Sequence, residues 1–164
     1  MYNFIFDLDN TLINTRKLKN KENNKIQYNL QKEDKLLKLL LNKLKYPKYI
    51  FSNATEYHVK NILYQTKLSD QFKIIMDRDF TITTKPNLNS YITLIENIEH
   101  NNDSNFKYIF FDDLIHNLIT AKYLGWITVL INENYKNKHE SIDYYFPNIY
   151  KALQFFIHKF HIQT

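Results

Sequence analysis

YNFIFDLDNTL, residues 2–12, is the stretch on which the fold turns. Tyr2–Leu8 reads as a short apolar strand ending in acidic residues, with Asp7 and Asp9 two positions apart at its exit. Two later segments end alike: Lys48–Phe51 stops at Ser52-Asn53, and Tyr108–Phe111 runs into Asp112-Asp113. Lys73–Met76 and Ile127–Ile131 are two further predicted strands. Helical periodicity lies between them. Leu36, Leu37, Leu40, Leu41 and Leu44 mark a helix over 33–45, and Val59, Ile62, Leu63 and Thr66 mark one over Thr55–Leu68. Tyr91, Leu94, Ile95 and Ile98 mark a helix with Pro86 in its first turn. Ile115–Leu124 is expected to close at Gly125, where a left-handed cap residue belongs, and Ile149–Phe160 is a last helix.

Strands alternating with helices predict an α/β fold, a three-layer α/β/α Rossmann-like parallel sheet in one domain spanning 1–164. In such sheets ligands bind outside the carboxyl ends of the strands, where Asp7–Thr11, Ser52-Asn53 and Asp112-Asp113 all fall. The chain has no cysteine, which excludes disulfides, thiol nucleophiles and cysteine-ligated metals. Gly125 is its only glycine, so neither a P-loop nor a dinucleotide fingerprint exists here. No apolar run approaches the roughly 20 residues of a spanning helix, and the N-terminus does not resemble a secretory signal. A cytoplasmic protein without membrane partners is the expectation.

The residue types at the strand ends are those of phosphoryl chemistry. A carboxylate can attack phosphorus, and a second one nearby can protonate the leaving oxygen, which suits Asp7 and Asp9. Adjacent acids such as Asp112 and Asp113 repel each other unless a cation or base neutralises them, and magnesium favours such hard oxygen ligands. One of the two also suits the N-cap of the following helix. Ser52-Asn53 offers a hydroxyl and backbone N–H groups ahead of a helix, as a phosphate cradle or as a plain cap. Lys85 can pair with the nucleophile and the phosphate, or lie on a solvated surface.

In this order the segments DLDNTL at 7–12, FSN at 51–53, TKP at 84–86 and FFDDLIHN at 110–117 resemble the four motifs of the haloacid dehalogenase-like phosphatase superfamily. The resemblance covers nearly the whole chain, and FDLDNTL with FFDD and AKYLGW is similar to the pyrimidine 5′-nucleotidase branch. It implies Asp7 as nucleophile and metal ligand, and Asp9 as general acid/base whose backbone carbonyl also binds Mg²⁺. It places Thr11, Ser52, Asn53 and Lys85 at the phosphate, with Lys85 balancing charge against the nucleophile. Asp113 matches the principal acidic metal ligand, Asp112 stands beside it, directly or through water, and Asn117 supports them from the next helix. Leu114 departs from the small hydroxyl residue usual there.

Only 42 residues separate Asp9 from Ser52, where larger family members insert a helical cap. Residues 14–32 are therefore expected to be at most a vestigial cap or flap loop. An open site suits a bulky substrate, or one covered by another subunit of a homodimer. Residues 14–48 hold eleven Lys/Arg against three Asp/Glu, and 16–25 form either a basic rim for an anionic substrate or a solvated loop. Tyr57, Tyr64, Tyr123 and Trp126 are better assigned to core or helix surface than to base stacking. Of the histidines at 58, 100, 116, 139, 158 and 161, only His116 adjoins the acids. A nucleotide is the favoured substrate; nucleic-acid ends or phosphoproteins are the second reading, and a non-catalytic binding module the third.

Overall fold

In a computed structural model, which describes residues 2–99 and 106–161, β1 (Tyr2–Phe6) lies inside a parallel sheet. The elements that follow are α1 (Lys35–Lys43), β2 (Lys48–Phe51), α2 (Glu56–Thr66), β3 (Ile74–Met76) and α3 (Leu88–Glu99). Then come β4 (Lys107–Asp112), α4 (Ile115–Tyr123), β5 (Ile127–Ile131), β6 (Tyr144–Phe146) and α5 (Ile149–His161). The six strands run parallel in the order β3-β2-β1-β4-β5-β6.

The pleat of β1 sorts the core into two layers. Phe4 and Phe6 point to one face, where they pack with Phe111, Leu37, Leu41, Val59, Ile62 and Phe156 from β4, α1, α2 and α5. Ile5 points to the other, with Phe110, Tyr91, Leu94, Leu118 and Ala121 from β4, α3 and α4. The expected three-layer α/β/α architecture is thus present. Phe6 and Phe111 are register partners across β1 and β4, with rings stacked 4.7 Å apart. The next residues on the two strands, Asp7 and Asp112, are thereby delivered to the same end of the sheet.

Several boundaries differ from expectation for local reasons. Helix α1 begins at Lys35 rather than 33 because Asp34 caps it, its carboxylate accepting from Leu37 N at 2.8 Å. Pro86 lies ahead of α3, after a cis Lys85–Pro86 bond, and the helix starts only at Leu88. Neither Asp112 nor Asp113 is the N-cap of α4; that position is Leu114. Gly125 does take the left-handed conformation, φ 78°, and Trp126 N bonds Ala121 O at 3.0 Å in a Schellman-type ending. The edge strand β6 has no counterpart in the predicted elements, since three half-exposed residues leave no periodic signal.

The segment before α1 is laid on the body by Leu18, which is buried, and by Ile26 and Tyr28, which pack against the core. Two short 3-10 turns, Thr15–Leu18 and Tyr28–Leu30, and an antiparallel bridge between Lys19 and Ile26 shape it. Among the described residues no helix is long and apolar enough to cross a membrane. His100 lies outside the described residues, as does the side chain of His161.

Candidate active site

Beyond Phe6 the chain leaves the pleat in one tight turn. Leu12 N and Ile13 N both bond Leu8 O, at 3.1 and 2.9 Å, and Asn10 turns the backbone at φ 63°. Asparagine is among the few side chains that tolerate this left-handed geometry. The turn leaves Asp7 anchored to the sheet, its N–H bonded to Phe111 O at 2.9 Å, and lifts Asp9 above it.

Asp7 and Asp112 follow Ile5 and Phe110 on the pleat, so both face the layer of α3 and α4. Lys85 arrives there just ahead of α3. Its Nζ donates to Asp7 Oδ1 and to Asp112 Oδ2, each at 2.8 Å, and lies 5.1 Å from the ring centroids of Phe51 and Phe110. All three charged side chains are nearly inaccessible to solvent, and Lys85 is held well into its cationic form. Burial alone would lower its pKa, but the Asp112 and Asp7 carboxylates outweigh that and raise it.

The backbone that carries Lys85 is clamped. Asn53 Nδ2 donates to Lys85 O at 2.8 Å while Asn53 Oδ1 accepts from Lys85 N at 2.9 Å. Asn53 thus uses both ends of its amide to fix Lys85. Ser52 Oγ accepts from Ala54 N at 3.1 Å, which turns the hydroxyl toward the start of α2. Ser52, Asn53 and Lys85 line one open cavity of about 350 Å³ together with Asp7, Asp9, Arg16, Asp113 and Asn117.

Asp112 is not on that cavity's wall. Its Oδ1 accepts from Leu114 N at 2.8 Å, and both oxygens accept from Asn117 Nδ2 at 3.0 Å. With Lys85 added, each oxygen has two donors, so Asp112 acts first as the anchor of Lys85 and Asn117. Asp113 is the acid that faces outward, and Arg16 Nη2 reaches it at 3.2 Å from the rim. Thr11 is buried beside a second, larger cavity of about 690 Å³ that shares Asn10, Arg16 and Asp113 with the first. Its Oγ1 has no hydrogen-bond partner among the described residues.

This cluster concentrates oxygen donors and negative charge. Carboxylate oxygens of Asp7, Asp112 and Asp113 lie within 4.8 Å of one another. Burial, with Asp112 and Asp113 adding to it against the pull of Lys85, pushes the Asp7 carboxyl up to about 7. Burial and Asp112, opposed by Arg16, push Asp113 up to about 6. Asn117 Oδ1, on the cavity wall, is a further buried oxygen without a hydrogen-bond partner among the described residues. An all-oxygen donor set with excess negative charge fits a hard divalent cation.

Asp9 behaves differently. Burial works to raise it, yet hydrogen bonds from His58 and Thr15 outweigh that and lower its pKa. His58 Nε2 sits 2.8 Å from Asp9 Oδ1 and His58 Nδ1 sits 2.9 Å from the Tyr28 hydroxyl. Sequence reading passes over His58 in favour of His116, which is exposed on α4. The available signal is that Thr55-x-x-His58 opens the helix directly behind Ser52-Asn53, where the first turn overlooks the strand ends. Trp126 is buried, and Tyr57, Tyr64 and Tyr123 lie exposed on helix surfaces.

No family model matches the chain, and no curated protein matches it by sequence. Solved structures do match by fold. A putative beta-phosphoglucomutase from Thermotoga maritima superposes with a TM-score of 0.74 at 14% identity, over 95% of this chain and 98% of that one. An HAD phosphatase from Thermococcus onnurineus gives a TM-score of 0.66 at 16% identity, with coverage of 95% and 98%. L-2-haloacid dehalogenase from Xanthobacter autotrophicus gives 0.64 at 15% identity over 79% of this chain, which spans 63% of the dehalogenase's length. These proteins share the parallel sheet, and on that evidence the chain has the haloacid dehalogenase-like fold, with no evident cap domain among the described residues.

Proposed function

We propose that the chain is a magnesium-dependent phosphohydrolase that cleaves phosphate monoesters, nucleotides foremost, through an aspartyl-phosphate on Asp7. The observation that carries this reading is the buried Lys85 bridge between Asp7 and Asp112 beneath an open cavity that also exposes Asp9 and Asp113. Asp7, the Asp9 carbonyl and Asp113 would hold the ion, with Asp112 and Asn117 behind them. When bound, Mg²⁺ supplies charge that offsets the repulsion between a phosphate dianion and the carboxylate.

The side chains divide the work. Lys85 holds one Asp7 oxygen and leaves the other to attack phosphorus. As the Asp7–phosphorus bond forms, the ester P–O bond breaks and Asp9 gives a proton to the departing oxygen; because its neighbours lower the Asp9 pKa, this step runs through the minority of molecules in which Asp9 is protonated. Asp9, now a carboxylate, takes a proton from a water whose oxygen attacks the same phosphorus. The Asp7–phosphorus bond then breaks, inorganic phosphate leaves and the Asp7 carboxylate is restored. Ser52 and the N–H groups at the start of α2 receive the phosphoryl oxygens. Leaving phosphate release undetected across nucleoside monophosphates, sugar phosphates and oligonucleotide termini in Mg²⁺ would overturn the reading and favour a binding module.

A second reading rests on Arg16 and Lys17, both exposed and both on the wall of the larger cavity that adjoins the site. A basic rim beside an uncapped site suits the end of a polynucleotide. In that case release from oligonucleotide termini falls steeply as salt rises, whereas release from mononucleotides changes little.

The metal is expected to show itself in stability. Asp7 and Asp113 titrate near 7 and 6 when folded, above the ordinary 3.8, so both bind protons more tightly in the folded state. The stability they confer is complete below about pH 4 and is lost as pH rises through about 6 to 7. A divalent cation competes with those protons. It is therefore expected to raise Tm more near pH 8 than near pH 5, with chelator as the reference. At a hundredfold excess over Kd the gain is about 2.7 kcal/mol, or roughly 5–10 °C for a domain of this size. An equal rise at both pH values would contradict the assignment.

A further inference from the structure

We propose that His58 is a positioning residue for the proton transfers of Asp9, and that Tyr28 fixes His58 for this task from the segment preceding α1. The inference rests on the phosphohydrolase reading and deepens it.

Asp9 has to act twice with opposite sign, giving a proton to the leaving group and then taking one from water. Both acts need the same oxygen to face the substrate. Left alone, a carboxylate at an exposed turn rotates about its last bond. In this chain the carboxylate is held: His58 Nε2 lies 2.8 Å from Asp9 Oδ1, and Thr15 also hydrogen-bonds Asp9. Oδ2 is the oxygen assigned to the reacting atoms. His58 itself cannot turn, because its second nitrogen lies 2.9 Å from the Tyr28 hydroxyl and the two rings pack 5.6 Å apart. Tyr57 meets Tyr28 edge-on at 5.9 Å, closing the outer side.

The donor inventory fixes the protons of this chain of groups. An ionised Asp9 only accepts, so Nε2 carries the hydrogen. Where the imidazole is neutral, Nδ1 is then the acceptor and the Tyr28 O–H donates to it. The same arrangement serves when Asp9 carries its transferable proton on Oδ2, because Oδ1 still accepts from Nε2–H. The orientation of Asp9 is thus kept through both halves of the reaction with no change at His58. It also places residues on opposite sides of α1 in sequence, Tyr28 and His58, in one catalytic support.

The location of His58 follows from the local fold. Thr55 caps α2, its Oγ1 accepting from His58 N at 3.4 Å, so the histidine occupies the first turn. Its side chain is only 13% exposed although it faces the site. The loop that holds Ser52 and clamps Lys85 through Asn53 therefore also delivers His58.

The test uses the full chain in Mg²⁺ with two monoesters that share a phosphate and differ in leaving group. p-Nitrophenolate departs without a proton, whereas the glycerol oxygen of β-glycerophosphate requires one. His58→Ala is expected to lower kcat on β-glycerophosphate by about 10²-fold, the scale of a lost general acid, with KM nearly unchanged. On p-nitrophenyl phosphate the fall is expected to stay within about threefold, since no proton is transferred there. His58→Gln, which keeps an N–H donor at this reach, restores part of the loss. Tyr28→Phe, which preserves the ring packing, shows the same selectivity at smaller size. In the metal-free protein, imidazole ¹⁵N shifts are expected to give His58 as the Nε2–H tautomer.

Equal losses on both substrates, no loss on either, or an Nδ1–H tautomer would overturn the proposal. Should His58→Ala fail to fold, Tyr28→Phe decides through the same leaving-group ratio. A wild-type protein that releases phosphate neither from these esters nor from any nucleoside monophosphate, sugar phosphate or oligonucleotide terminus defeats the phosphohydrolase reading itself and takes this inference with it. A wild-type protein that hydrolyses both, beside variants without selectivity, defeats the inference alone.

Discussion

Asp7→Asn is expected to abolish phosphate release while leaving a folded protein that melts at a higher temperature than the wild type. The amide has the carboxylate's shape but cannot form the acyl phosphate, so turnover should fall by about 10⁴-fold or more. The gain in stability has a separate origin. The wild-type carboxyl is buried beside Asp112 and Asp113 and is pushed up to about 7, above its ordinary 3.8. An ionised Asp7 is therefore a burden on the folded state at neutral pH, and the burden grows as pH climbs from about 4 to 7. The neutral amide removes it, while Lys85 keeps its bond to Asp112. Melting curves across this range check the point: the advantage of the variant should be near zero at about pH 4 and constant above about pH 8. A destabilised but active variant would contradict both halves.

Lys85→Met is expected to be the most damaging single substitution. Methionine fills much of the same volume between Phe51 and Phe110 but leaves the Asp7 and Asp112 carboxylates buried without their cation. Removing one partner of a buried ion pair typically costs about 3–5 kcal/mol, which is roughly 6–20 °C for a domain of this size. The deficit also has a pH signature. With the lysine gone, Asp7 loses the cation that opposes its burial and holds its proton more tightly when folded, so stability is lost as pH rises. The gap to wild type should narrow in acid and widen in alkali. Activity is lost as well, because nothing then orients Asp7. A variant that melts like wild type near pH 8 would show that Lys85 does not carry the charge balance assigned to it.

How much of this is written in the sequence depends on how local each signal is. The strands β1 and β4 are legible because each is an unbroken apolar run that stops at an acid, and a two-sided buried strand needs no alternation. The order of the four polar groups along the chain likewise marks the site. What is not legible is how the acids share duties. Asp112 and Asp113 are neighbours in sequence, and the pleat sends the first inward to Lys85 and Asn117 and the second to the cavity. Nor does the sequence show that the Asn53 amide clamps the backbone of Lys85 at both ends. His58 is harder still, since a lone histidine beside a helix's apolar stripe carries no mark of the aspartate it will meet 49 positions away. The short edge strand β6 is invisible for another reason: three residues carry no periodic pattern, and the strand shows itself only by pairing along the edge of β5.

The pairing of β1 with β4 has one more effect. Asp7 and Asp112 become neighbours only when strands about a hundred residues apart along the chain zip together. Until then the acids are scattered and no nascent fragment offers an ion a foothold. A cation bound as proposed above would therefore arrive after the strands have paired, on a scaffold that hydrophobic packing has already raised.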